Sequence, residues 1–177
     1  WPKGGVPANG GLRQQFAHVI DVAPTILEAV SLPEPTTVNG TKQRPMDGIS
    51  MFYTFKDADV AGRHQTQYFE MFGNRAIYHN GWLARVVHNA PWDPQPRSSL
   101  EDGTWELYDT NADFSLTNDV AAQNPEMLEE LKQLFMADAG RNFALPLDDR
   151  TLVRAVPALA GRPDLMAGRS SLSLAEG

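Results

Sequence analysis

Residues 66–87 read TQYFEMFGNRAIYHNGWLARVV, and this run limits the fold more than any other. β-branched and aromatic residues fill 66–72, 75–79 and 82–87. Gly73-Asn74 and Asn80-Gly81 separate them. A two-residue Asn-Gly connection between β-prone runs is the strongest short-range signal for a hairpin, because both turn residues need positive φ. The run therefore predicts consecutive antiparallel strands. TWELYD at 104–109 supplies a fourth strand after a Pro- and Ser-rich excursion at 89–103.

Helical patterns flank the strands. In FAHVIDVAPTILEAV, residues Val19, Val22, Ala23, Ile26, Leu27 and Val30 recur at helical spacing. Asp21 is placed to cap a helix of about 21–31, and Pro24 fits its first turn, where a missing N–H does no harm. Pro33 and Pro35 are read as its end. Residues 33–65 are polar and turn-rich. Asn124-Pro125 opens a second helix, with an apolar stripe of Leu128, Leu131 and Phe135 widened by Met127 and Leu134. Gly140 is read as its stop. Helix, strands in hairpin succession, helix predicts an α+β unit: a small antiparallel sheet of about four strands packed by a C-terminal helix. Residues 151–177 lack periodicity and read as extended tail.

Composition narrows the function classes. A formal charge of −7 argues against nucleic-acid binding, and no Lys/Arg run suggests an anionic membrane. The apolar runs fall short of the roughly 20 residues a membrane span needs. With no cysteine there are no disulfides, thiolate nucleophiles or zinc–thiolate sites. The opening Trp1-Pro2 reads as the start of a cut fragment.

Residue chemistry alone gives no active site. DTNADFSLTNDV, at 109–120, has the alternating oxygens of a calcium loop. It places Phe114 where that loop turns on Gly and Val120 where it needs a bidentate Glu. An Asx-type turn between strand and helix is the better reading. His18, His64, His79 and His88 are scattered without metal-ligand spacing. Ser50 in DGISMF lacks the second Gly of a nucleophile elbow. NGT at 39–41 is a glycosylation sequon, and PLDDR at 146–150 carries paired carboxylates that read as caps or ion-pair partners.

Taken together, six segments resemble the C-terminal part of bacterial arylsulfatases of the alkaline-phosphatase-like superfamily. WPKGG resembles the strand end after that family's glycine pair. Asp21, Pro24, Thr25, Ile26 and Leu27 match its D-x-x-P-T-[IL]-L helix, and MDGIS at 46–50 its D-G-x-S turn. YFEMFGNRAIYHNGW resembles its strand pair with Arg75 and the Gly81-Trp82 turn. WELYDTNADFSLTNDVA resembles its run from the last strand toward the terminal helix, and PLDDR the start of a later extension. Leu83 stands where a Lys is common, and Ser115 or Leu116 falls near a family Glu.

The resemblance implies a parent enzyme that hydrolyses sulfate esters with a formylglycine nucleophile and a calcium ion. It places both outside these residues, so no catalytic or metal position carries over and the segment alone is expected to be inactive. It divides the chain into 1–45, the end of a main α/β domain; 46–145, a C-terminal α+β subdomain; and 146–177, a tail. The expected partners are a small-molecule sulfate ester and the N-terminal catalytic domain against which the segment packs. The candidates for a substrate rim are Arg75, Asn74, Glu70 and His64, with Arg75 first because a guanidinium suits an oxyanion. The competing role for Arg75 is a structural pair with Glu70. Two alternatives stand beside this reading: a non-catalytic interaction or packing module, and a fragment of a phosphate or phosphonate ester hydrolase of the same superfamily.

Overall fold

A computed structural model describes residues 11–89, Trp92 and 99–150. It divides into two compact units, one running to Gln67 and one from Tyr68.

In the first unit, a 3-10 turn at Val19–Asp21 runs straight into helix α1, Val22–Ala29. The helix is shorter than the apolar spacing predicts, and the prolines are not what stops it. Ser31 adopts a left-handed conformation (φ 56°). Leu32 N–H then reaches Leu27 O at 2.9 Å and Ser31 N–H reaches Glu28 O at 3.0 Å. That bond pair is a Schellman cap, built on Ser where Gly is usual. The turn-rich stretch after it contains a small hairpin that the sequence reading passes over. Strands β1 (Thr37–Val38) and β2 (Thr41–Lys42) pair across Asn39-Gly40, whose φ angles of 47° and 76° suit a type I′ turn. Residues 11–15 are tied along a later segment by side chains. Arg13 donates to the carbonyls of Thr54 and Phe55, and Gln15 to those of Ala58 and Val60.

The second unit is the predicted antiparallel meander, with strand order β3-β4-β5-β6. The strands are β3 (Thr66–Met71), which begins at the end of the first unit, β4 (Asn74–His79), β5 (Trp82–Val86) and β6 (Glu106–Asp109). The β4–β5 turn falls at Asn80-Gly81 as expected, with His79 opposite Trp82. The β3–β4 turn sits one residue earlier than the sequence predicts. Phe72 (φ 52°) and Gly73 (φ 85°) form it, and Asn74 already belongs to β4. A bulky residue at positive φ is uncommon, which is why Gly73-Asn74 looks like the better turn on paper.

Side chains on alternate positions of the central strands make one apolar face: Ile77 opposite Ala84, and Ala84 opposite Leu107. All three are fully buried. Helix α2, Pro125–Arg141, covers this face with Leu131, Phe135 and Ala139. The predicted stripe thus packs as read. Leu128, Met127 and Leu134 pack at its margin, and the Trp105 and Tyr68 rings meet Phe135 edge-on at 5.8 and 6.5 Å. Gly140 does not end the helix, which continues to Arg141. The stop is a second Schellman cap on a non-glycine residue, Phe143 (φ 58°). Ala144 N–H bonds Ala139 O at 2.8 Å and Phe143 N–H bonds Gly140 O at 3.2 Å.

The connection from β6 to α2 closes the edge of the sheet. Val120 N–H donates to Leu107 O, and Leu107 N–H donates to Asp119 Oδ1, so backbone groups that an edge strand leaves open are satisfied. Within that connection Asp109 Oδ1 accepts from Asn111 N–H. Asp113 accepts from the N–H groups of Asn118 and Thr117 at 2.7 and 2.6 Å. The first is an Asx turn; the second is a wider loop that Asp113 closes by satisfying backbone N–H groups four and five residues on.

Candidate functional site

One carboxylate at the entrance to α1 organises the first unit. Asp21 is fully buried. Its Oδ2 accepts from His18 N–H at 2.8 Å, closing the 3-10 turn. Its Oδ1 accepts from Ile49 N–H at 2.8 Å. His64 Nδ1 lies 2.9 Å from Oδ1 and 2.8 Å from Oδ2. A carboxylate only accepts, so Nδ1 carries the proton of this bond. Thr25, one helical turn on, is also buried; its hydroxyl donates to Asp21 O and accepts from Met51 N–H at 2.8 Å. Asp21, at the end of the 3-10 turn, and Thr25, in the first turn of α1, thus hold the backbone of the 48–51 loop.

That loop comes close because residue 48 is Gly. A Cβ there would lie 2.1 Å from Ile20 O, which no side chain allows. The D-x-x-P-T and D-G-x-S segments are therefore two halves of one fastening. Asp21 and Thr25 provide the acceptors, and Gly48 provides the room. Phe16 stacks edge-on against the His64 ring at 5.2 Å, which keeps the ring oriented toward Asp21. His64 is only 6% exposed and is engaged inside this cluster. The sequence reading placed Asp21 as a plain helix cap, because its partners at 49 and 64 lie far along the chain. The spacing of Asp21 and Thr25 beside a Gly-bearing turn was the available signal.

The other three rim candidates gather at the β3–β4 turn of the second unit. Glu70 Oε1 accepts from Gly73 N–H at 3.1 Å. Asn74 spans the neighbouring chain: Nδ2 donates to Met71 O and Asn89 O, and Oδ1 accepts from His88 N–H at 2.9 Å. Arg75 is 8% exposed. Its guanidinium donates to Gly73 O and Leu100 O, each at 3.1 Å, and lies over the Trp105 ring at 5.5 Å. Its partners are carbonyls and a π face, not the Glu70 carboxylate. Burial pushes the Arg75 guanidinium below the usual arginine range. Gly103 makes the space: a Cβ there would come within 3.1 Å of Arg75 Nη2 and 2.5 Å of a Val86 methyl. The structure brings Glu70, Asn74 and Arg75 together as the frame of one hairpin end. His64 belongs to the Asp21 cluster of the first unit.

On the opposite face of the sheet, Arg85 and Glu106 stand opposite each other in register. Arg85 Nε donates to Glu106 Oε2 at 2.6 Å, and the Tyr108 hydroxyl donates to the same oxygen at 2.9 Å. The bond to Glu106 holds Arg85 above its ordinary range, and burial pushes the Tyr108 phenol up. This is a cross-strand ion pair with a Tyr shoulder.

Calcium does not fit the residues seen. Asp109 Oδ1 and Asp113 Oδ2 accept from backbone N–H groups. Among the described residues no group of three His, Asp or Glu side chains converges.

No family model matches the chain. Over 137 residues it is 28% identical to an uncharacterized sulfatase of Schizosaccharomyces pombe, an alignment that covers 71% of this chain and 21% of that protein. Among solved structures, Ps i-CgsB is similar over 97% of this chain and 34% of its own, with a TM-score of 0.57 and 20% identity. BT4656, solved with its substrate D-glucosamine-2-N,6-O-disulfate, is similar over 73% of this chain and 25% of its own, with a TM-score of 0.50 and 16% identity. The chain thus spans about a fifth of the curated relative and a quarter to a third of these structures. The likeness to a sulfatase is carried by the sequence. The solved structures carry the fold, a four-stranded sheet with its terminal helix set within longer proteins.

Proposed function

We propose that these residues are the C-terminal part of an arylsulfatase and that they serve it as framework. The observation that carries this is the 137-residue alignment to a sulfatase, which covers 71% of this chain and 21% of that protein. In the parent, a formylglycine would act as covalent nucleophile and calcium would polarise the sulfate. Both belong to the part outside this chain. What the present residues do is mechanical. Asp21, Thr25 and His64 fix the 48–51 loop against α1, and Arg75, Asn74 and Glu70 fix the end of the β3–β4 hairpin. If that hairpin end borders the substrate, it does so by shape. Its polar atoms are committed to neighbouring backbone.

The test is turnover by the protein from the whole reading frame, compared with the 177-residue chain. The expected result is hydrolysis of an aryl sulfate by the former and none by the latter. Aryl phosphate or phosphonate turnover in place of sulfate would move the parent to another branch of the superfamily. Sulfate turnover by the 177-residue chain that one substitution in it abolishes would overturn the framework reading.

A further inference from the structure

The dipeptide Asn-Gly occurs three times in the chain, and two of the three, Asn39-Gly40 and Asn80-Gly81, lie among the described residues. Each is a two-residue turn with both residues at positive φ, 47° and 76° in the first and 47° and 89° in the second. The two differ in what holds them. Gly81 is clamped: its carbonyl accepts from the Thr110 N–H and the Thr110 hydroxyl, both at 2.7 Å, and a Cβ on it would lie 2.2 Å from Asn111 Nδ2. Asn80 Nδ2 lies 3.0 Å from His79 Nε2, and β5 is paired on both sides. Asn39-Gly40 has none of this. Strands β1 and β2 have two residues each, all exposed. Nothing comes within 4 Å of the place a Gly40 Cβ would take. Neither the Asn39 carboxamide nor the Gly40 N–H makes a hydrogen bond among the described residues. A lone two-stranded hairpin is marginal in water, so this turn opens readily.

We propose that Asn39 is a site of spontaneous covalent modification, where the backbone attacks the side chain and converts it to aspartate and isoaspartate each time the hairpin opens. The proposal does not depend on the function of the parent. In the open turn the Gly40 nitrogen reaches Asn39 Cγ, and residue 40 has no Cβ to obstruct it. The bond formed is N–Cγ and the bond broken is Cγ–Nδ2. The Gly40 amide proton leaves with Nδ2 as ammonia, and a cyclic imide remains. Water then opens the ring. Attack at the side-chain carbonyl gives aspartate; attack at the main-chain carbonyl gives isoaspartate, in which the backbone runs through the side chain. No oxidant or second substrate is consumed. Either product puts a carboxylate in the turn, one unit more negative than the present formal charge of −7. Isoaspartate also lengthens a two-residue turn by one backbone atom, which disturbs the pairing of Thr37 with Lys42 and of Val38 with Thr41. The change stays local, since Asp21 and Thr25 hold the 48–51 loop separately. It also abolishes the NGT sequon, whose acceptor is Asn39 Nδ2.

The 177-residue chain is incubated at mildly alkaline pH in heavy-oxygen water, and conversion is read by peptide mass spectrometry. Trypsin places Asn39 and Asn80 on separate peptides, neither of which holds another asparagine. Asn39 should convert on the order of tenfold or more faster than Asn80, because the clamped turn opens less often. In urea, where neither turn persists, the two rates should draw together. Equal rates without urea, or faster conversion at Asn80, would overturn the proposal. So would an Asn39 that survives while the chain in urea converts. A second measurement asks whether opening of the hairpin sets the rate. Thr37 and Lys42 stand opposite each other, and the chain has no cysteine, so Thr37→Cys with Lys42→Cys allows one cross-link within the chain. Oxidation of this variant should slow conversion at Asn39 on the order of tenfold against the same protein after reduction, and leave Asn80 unchanged. Conversion at Asn39 as fast in the oxidised as in the reduced variant would overturn the dependence on hairpin opening, and the proposal with it.

Discussion

Asp21 shows how one buried side chain can set the geometry of three segments. It accepts from His18, Ile49 and His64, and nothing else in the cluster can replace both oxygens at once. Removing one partner of a buried pair costs about 3–5 kcal/mol, because the others are left unsatisfied. Asp21→Ala should lower the unfolding free energy of the chain by about that amount in a denaturant titration. Asp21→Asn, which keeps one acceptor oxygen, should lose less. An Asp21→Ala protein within about 0.5 kcal/mol of the parent chain, the range of ordinary surface changes, would remove Asp21 from its central place. Arg75 invites a different measurement. Its guanidinium is committed to two carbonyls, so Arg75→Ala in the whole protein should depress the melting temperature and leave KM and kcat/KM of the folded enzyme unchanged. A raised KM at unchanged melting temperature would return Arg75 to the substrate. Arg75 was legible as the notable cation of the hairpin. Its burial was not, because that depends on Gly103 and Leu100, which lie beyond a long excursion.

Among the elements, those written in a short period were the readable ones. Alternation along 75–86 and the Asn80-Gly81 turn set β4 and β5 in register, and the Leu131/Phe135 stripe set the buried side of α2. Leu131→Ala should therefore cost about 2–5 kcal/mol, the usual range for truncating a buried Leu. Lys132→Ala on the solvent side should stay within about 0.5 kcal/mol. Similar losses from the two would contradict the packing. On α1 periodicity finds the helix but not its buried side: Val22 and Ile26 are exposed, and the buried residues are Asp21 and Thr25. It also missed both helix ends, since Ser31 and Phe143 take a left-handed conformation that composition assigns to Gly. The β6–α2 connection offers a pH test. The Asn118 amide, then the Thr117 amide and hydroxyl, hold the Asp113 carboxyl below the usual carboxylate range. A depressed folded value means the contribution is present above the unfolded value, about 3.9 for Asp, and is lost as pH falls through the folded value. Protection of the Thr117 and Asn118 amides, taken relative to their intrinsic exchange rates, should persist below about pH 3.9 and be lost as pH falls through the lower folded value. In Asp113→Ala both should exchange fast throughout. Protection that ignores both pH and the substitution would show that the Asp113 turn does not order the loop.

At the scale of the whole molecule, the two units differ in what holds them. The second has a sealed apolar core of Ile77, Ala84, Leu107, Leu131 and Phe135. The buried set of the first is largely polar: Asp21, Thr25, Thr54 and His64 beside Phe55. Hydrogen-bonded interiors tolerate partial assembly badly, since an unsatisfied buried group is penalised in full. This has a consequence for the order of events on the ribosome. The acceptors on Asp21 and Thr25 emerge early, but the donors at Ile49, Met51 and His64 emerge later, so vectorial synthesis keeps the first unit open until His64 has cleared the exit tunnel. Arrest-peptide force profiles should then show a folding step when the tether is placed past His64. In His64→Ala that step should be weakened, and a profile unchanged by the substitution would place closure elsewhere. The residue that closes the unit immediately precedes the strands of the next. The first unit would thus close while the strands of the second are still emerging.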